Sequence, residues 1–170
     1  ILSSLGYDWA GLMGARFIAV IVFTIGVYGF ARFSMSLVGN RAGLIATFLL
    51  AFFGPALHLA HFAVYDVGSF AAYCWAAWML VTYVCIQNPS RIWLVLAGIF
   101  TALGMLFKYP TGLMLLPLLG LLLVLLRFRK SFTWKSAMVD AAVYLVSFGI
   151  PVLIYVLVFW NQGLSEWWQW

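Results

Sequence analysis

The sequence divides into six apolar runs, near residues 16–38, 43–64, 67–87, 91–108, 110–127 and 137–160. Each approaches the roughly 20 residues that a helix needs to cross the hydrocarbon core of a bilayer. A backbone inside lipid finds no water for its N–H and C=O groups, so runs of this kind satisfy themselves only as helices. The connectors carry helix breakers: Gly39-Asn40-Arg41, Asn88-Pro89-Ser90 and Lys108-Tyr109-Pro110. Because the connectors are short, consecutive helices should be antiparallel neighbours. The chain is therefore expected to be all-α, a polytopic transmembrane helix bundle of about six spans in a single domain over residues 1–170.

Composition excludes a soluble alternative. With 66% hydrophobic residues, four acidic side chains and a mean hydropathy of +1.10, the chain has too little polar surface to face water all round. The net charge of +5 is no sign of a nucleic-acid partner, because the basic residues fall in connectors and form no stripe. They read instead as a record of topology. If the first connector is cytoplasmic, that side receives Arg32, Arg41, Arg91, Arg127, Arg129, Lys130 and Lys135, while the other receives Arg16 and Lys108. Both ends of the segment, with Asp8, Asp66 and Glu166, then lie outside, and Asp140 alone among the acids lies inside. Cys74 and Cys85 share one run and sit about 16 Å apart along a helix, too far to bridge. The chain opens on Ile1 with no signal-peptide pattern and is expected to be a fragment of a longer protein.

Small residues let membrane helices approach closely, and Gly68-Ala72-Ala76 and Gly98-Ala102 form two such ridges. Pro55, after Gly54, and Pro117 should kink or break their helices. No internal repeat is present.

The polar groups gather on the outer side. His58, His61 and Asp66 fall where the second run ends and the third begins. Asp66 precedes a helical run, where a carboxylate meets free N–H groups and the positive end of the dipole, so capping and a functional role both fit. Two histidines and one carboxylate are a weak zinc signal, and interfacial histidines bonded to water or headgroups are the commoner case. Lys108 can snorkel beside an interfacial Tyr109, or hold a phosphate as a point charge. Trp167, Trp168 and Trp170 read as interfacial belt residues rather than a sugar platform.

Taken in order, VGNRAGLIATFLLAFFGPALHLAHFAVYDVGSFAAYCWAAWML and WLVLAGIFTALGMLFKYPTGLMLLPLLGLLL resemble polyprenyl-phosphate-dependent membrane glycosyltransferases, the group that includes protein O-mannosyltransferases and aminoarabinose transferases. The likeness runs from about Ala15 to Val124. It implies transfer of a sugar from a polyprenyl-phosphate donor, on the noncytoplasmic side of a bacterial inner membrane, with inversion at the anomeric carbon. By position it makes Asp66 a carboxylate of the catalytic cavity and places Lys108 and Arg16 near the donor phosphate. His58, His61, Tyr65 and Tyr109 become polar lining of the cavity. No metal site and no cofactor are assigned, and the residues leave any metal requirement open; the expected partners are membrane lipid, the polyprenyl-phosphate sugar donor and other membrane proteins, with no nucleic acid. The family's main acidic residue sits in an outer loop after an additional first span. Gly6-Tyr7-Asp8-Trp9 does not match that motif, so the chain as given is expected to lack the principal base. The rival reading is a noncatalytic scaffold subunit of a larger membrane complex, of the kind that carries pigments or haem. A transporter would show paired broken helices and repeats, which this sequence lacks.

Overall fold

The computed structural model describes residues 2–53, 65–86, 89–128 and 133–160, with only the backbone described for residues 2–10, 65, 109, 110, 159 and 160. The described residues form six α-helices and no strand: α1 (Leu2–Val38), α2 (Asn40–Phe52), α3 (Tyr65–Cys85), α4 (Ile92–Phe107), α5 (Leu115–Arg127) and α6 (Trp134–Trp160). A 3-10 segment, Tyr109–Met114, joins α4 to α5. The protein is an all-α membrane helix bundle. Three helices contain stretches long and apolar enough to cross a bilayer, Gly11–Val38, Asp66–Cys85 and Trp134–Val158. The stretches Asn40–Phe52, Ile92–Phe107 and Thr111–Arg127 are apolar but shorter.

The helices depart from the apolar runs at three places. Helix α1 starts at Leu2, well before residue 16, and Gly11 within it takes a φ of 59° that redirects the backbone just where the long apolar stretch begins. Helix α2 stops at Phe52, because Phe53 turns extended (φ −68°, ψ 122°); residues 54–64, including Gly54, Pro55, His58 and His61, lie outside the described residues. The fifth run begins as the 3-10 segment and becomes α-helical only at Leu115. That start puts Pro117 in the first turn of α5, where its missing N–H leaves no bond unmade, so the break falls upstream of the proline.

Helix α3 is the most enclosed of the three long ones, and its neighbours are fixed by specific contacts. Helix α1 runs parallel to it: Phe23 stacks on Phe70 at 5.7 Å, the Trp75 indole donates to the Ile25 carbonyl at 3.1 Å, and the Arg32 guanidinium lies 5.2 Å from the Trp78 ring. Helix α4 is antiparallel to α3, with Ser69 against Gly104 at one end and Trp78 against Trp93 at the other. Helix α6 packs parallel to α4. There a Cβ on Gly98 would stand 2.6 Å from the Tyr144 carbonyl oxygen and 2.7 Å from the Ser147 Cβ, so only glycine permits this approach.

Between α4 and α6 the polar groups are satisfied in sequence. The Thr101 hydroxyl donates to the Ala97 carbonyl at 2.8 Å and so accepts from the Tyr144 hydroxyl at 2.9 Å, both side chains being fully buried. One end of the bundle collects Asp66, Lys108 and Thr111, while Arg41, Arg91, Arg127 and Lys135 lie toward the other. At that second end the buried Asp140 carboxylate accepts from Arg91 Nε at 3.2 Å.

Gly98→Ala is expected to lower unfolding stability in detergent by about 1–3 kcal/mol, the cost of overpacking a filled interface. Gly120, with open space around it, should accept alanine neutrally or with a gain of up to about 1 kcal/mol from helix propensity. Equal thermal shifts for the two variants would refute the close α4–α6 approach.

Candidate functional site

The third helix presents a polar stripe at its start. Asp66, Ser69 and Tyr73 are spaced i, i+3 and i+7, so they share one face. Asp66 lies in the first turn of α3, where the dipole favours a carboxylate. Across from this face, α4 ends at Phe107 because Lys108 turns extended (φ −153°, ψ 104°) before the 3-10 segment begins.

Two close approaches bring these elements together. A Cβ on Gly68 would stand 2.9 Å from the Phe107 ring, and one on Gly104 2.7 Å from the Tyr73 ring, so the helices meet at a separation that a larger side chain at either position would prevent. The Ser69 hydroxyl donates to the Gly104 carbonyl at 2.8 Å. The Tyr73 hydroxyl donates to the Thr111 carbonyl at 2.7 Å, and the Thr111 hydroxyl donates to the Lys108 carbonyl at 2.6 Å. The turn that carries Lys108 is thereby bonded to the helix that carries Asp66. The two side chains form an ion pair, Lys108 Nζ to Asp66 Oδ1, with the lysine 43% exposed and the aspartate 27% exposed.

Asp66 also stands at the head of a groove of about 390 Å³ that runs down α3 as far as Ala77, about 16 Å at the helical rise. Phe30 and Phe33 of α1 form one wall; Thr111, Met114 and Leu118 form the other. Apart from Asp66 and the hydroxyls near it, the lining is apolar. Such an arrangement provides a cation able to hold an anion, a carboxylate able to take a proton, and an apolar trough leading away from both.

The other candidate residues have distinct placements. Arg16 is half-buried on α1 at the same end as Asp66, and the register set by Phe23 on Phe70 puts it about one turn beyond the aspartate. No hydrogen bond or ion pair joins it to Asp66 or Lys108. Tyr65 is the first residue of α3 and Tyr109 the first of the 3-10 segment; their side chains, like all of His58 and His61, lie outside the described residues. Among the described residues, no three His, Cys, Asp or Glu side chains gather at one point, and Cys74 and Cys85 are both free thiols. Sequence reasoning passed over Ser69, Tyr73 and Thr111. The i, i+3, i+7 stripe from Asp66 was the signal for the first two; Thr111 had none, since its role depends on where the turn docks.

The family model described as dolichyl-phosphate-mannose-protein mannosyltransferase matches residues 5–160, nearly the whole chain. No match was found among curated proteins or among solved structures.

Tyr73→Phe should leave the helices in place but release the turn. Removing one hydrogen bond of about 0.5–1.5 kcal/mol corresponds to roughly two- to tenfold faster amide exchange. That increase is expected across residues 108–114, with α6 unaffected; unchanged exchange there would show that the hydroxyl does not hold the turn.

Proposed function

We propose that this chain, which belongs to the dolichyl-phosphate-mannose-protein mannosyltransferase family, binds a polyprenyl-phosphate sugar donor with its phosphate at Lys108 and its isoprenoid chain along the α3 groove. Family membership makes the protein a membrane glycosyltransferase of the mannosyltransferase type. The observation that carries the donor assignment is the meeting of Asp66 and Lys108 at the head of a trough otherwise lined by apolar side chains. An isoprenoid phosphate has that polarity: one compact anion on a long hydrocarbon.

The chemistry follows from charge. An acceptor hydroxyl attacks the anomeric carbon from the face opposite the phosphate; the new C–O bond forms as the sugar–phosphate bond breaks, which inverts the centre. The departing phosphate oxygen gains negative charge, and a cation in a partly dehydrated site stabilises it. The acceptor's proton must go to a base. Asp66 serves as a carboxylate of the cavity, beside the acidic residue that the family resemblance expects upstream. In the free protein Asp66 occupies the ammonium of Lys108, so an arriving phosphate competes for the same cation and leaves the carboxylate available to polar parts of the substrates. Arg16, one turn farther out, adds positive charge to the approach. His58, His61, Tyr65 and Tyr109, all near Asp66 or Lys108 in sequence, complete the polar lining in this reading.

The side of the membrane is inferred from the basic residues. Among the described residues, Arg32, Arg41, Arg91, Arg127 and Lys135 lie toward the end away from Asp66 and only Arg16 and Lys108 toward the Asp66 end, which favours the first end as cytoplasmic and the Asp66 end as noncytoplasmic.

For the full-length protein in proteoliposomes supplied with a mannosyl polyprenyl phosphate, Lys108→Ala is expected to cut kcat/KM for the donor about 10- to 100-fold, the equivalent of a charge-assisted hydrogen bond of about 1.5–3 kcal/mol. Asp66→Asn should reduce kcat more than donor KM. Undiminished transfer by both variants, with helicity retained, would remove the pair from the mechanism.

A further inference from the structure

A second groove opens at the opposite end of the bundle, between α5 and α6. These two helices touch only lightly, and the space between them, about 380 Å³, is floored by Leu123, Val124 and Ala137. Arg127, in the last turn of α5, and Trp134, which opens α6, flank its mouth together with Phe128. Phe128 and Trp134 are 82% and 71% exposed. Among the described residues no carboxylate lines the groove; Asp140, farther along α6, is turned to Arg91, which immediately precedes α4.

We infer that this groove is a binding site for an anionic phospholipid of the leaflet at the basic end, with an acyl chain between α5 and α6 and the phosphate at Arg127. The charge of the mouth selects the headgroup. Basic residues near a membrane surface each contribute roughly 1 kcal/mol toward anionic lipid, while exposed aromatic rings at this level suit the boundary between chains and headgroups. The groove supplies what a scattered basic surface lacks, namely an apolar slot that fixes one chain directly beneath the Arg127 guanidinium. This site is separate from the α3 groove, which has its ionisable groups at the other end of the bundle.

The test is retention of lipid by the purified protein, read by native mass spectrometry with dioleoyl phosphatidylglycerol or dioleoyl phosphatidylcholine, and with glycerol 3-phosphate as a chain-free competitor. Phosphatidylglycerol should bind at least about fivefold more tightly than phosphatidylcholine, the ratio given by one basic residue at roughly 1 kcal/mol. Arg127→Gln should lose about that factor and Arg127→Lys should keep most of it. Val124→Trp, which fills the slot from an exposed position, should weaken phosphatidylglycerol without restoring any preference for the neutral lipid. Circular dichroism of each variant separates lost binding from lost helices, and the Arg127 pair decides the matter if the tryptophan variant does not fold. Equal retention of both lipids, or phosphatidylglycerol binding that survives Arg127→Gln, overturns the proposal. Displacement by glycerol 3-phosphate at concentrations similar to the lipid's would mark a free-phosphate site and overturn it equally.

Discussion

The close approach of α3 and α4 beside Asp66 sets the arrangement of everything at that end. Lipid gives helices no hydrophobic reason to associate, so their contact rests on dispersion between well-fitted surfaces and on a few hydrogen bonds. Here Gly68 admits the Phe107 ring, Gly104 admits the Tyr73 ring, and Ser69 bonds the Gly104 carbonyl. Once these surfaces meet, the extended Lys108 at the end of α4 reaches the carboxylate in the first turn of α3. The same approach fixes the 3-10 segment against Tyr73 and so defines one wall of the groove that Asp66 heads.

Polar groups elsewhere follow the rule that a buried polar atom must be satisfied where it lies. Thr101 and Tyr144 bond each other and a backbone carbonyl in the middle of the bundle. Asp140 lies near the end of α6 that meets α4, where Arg91 reaches it while keeping most of its own side chain exposed. The two ion pairs therefore occupy opposite ends of α4, Arg91 with Asp140 at its start and Lys108 with Asp66 at its finish. Between them α4 carries small residues, Ala97, Gly98, Ala102 and Gly104, that let it sit between α3 and α6.

The apolar runs made the helical class legible, since a backbone in lipid has few alternatives, and the alternation of antiparallel neighbours put Asp66 and Lys108 at one end. The small-residue ridges were legible as contacts: Gly68 meets Phe107, and Gly98 meets the Tyr144 backbone. What hydropathy does not encode is where helicity changes form. Leu2–Ala10 continues as helix although it precedes the apolar stretch, and the fifth run begins as a 3-10 segment that becomes α-helical only at Leu115. Nor does one-dimensional pattern reveal that Asp66 meets Lys108 directly, or that Thr111 ties the turn. Those contacts arise from the register between two helices 42 residues apart in sequence at the pair itself, and register is decided by glycine and ring shapes taken together.

The most direct measurement of this register is a charge-reversal cycle on thermal stability, comparing Asp66→Lys, Lys108→Asp and the two together. Contact between the groups predicts that each single reversal places like charges side by side and lowers stability, and that the double reversal recovers a coupling of about 0.2–1 kcal/mol, as expected for a partly exposed pair. Strictly additive losses, with no recovery in the double variant, would mean that α3 and α4 do not meet as described and that Asp66 and Lys108 share no site.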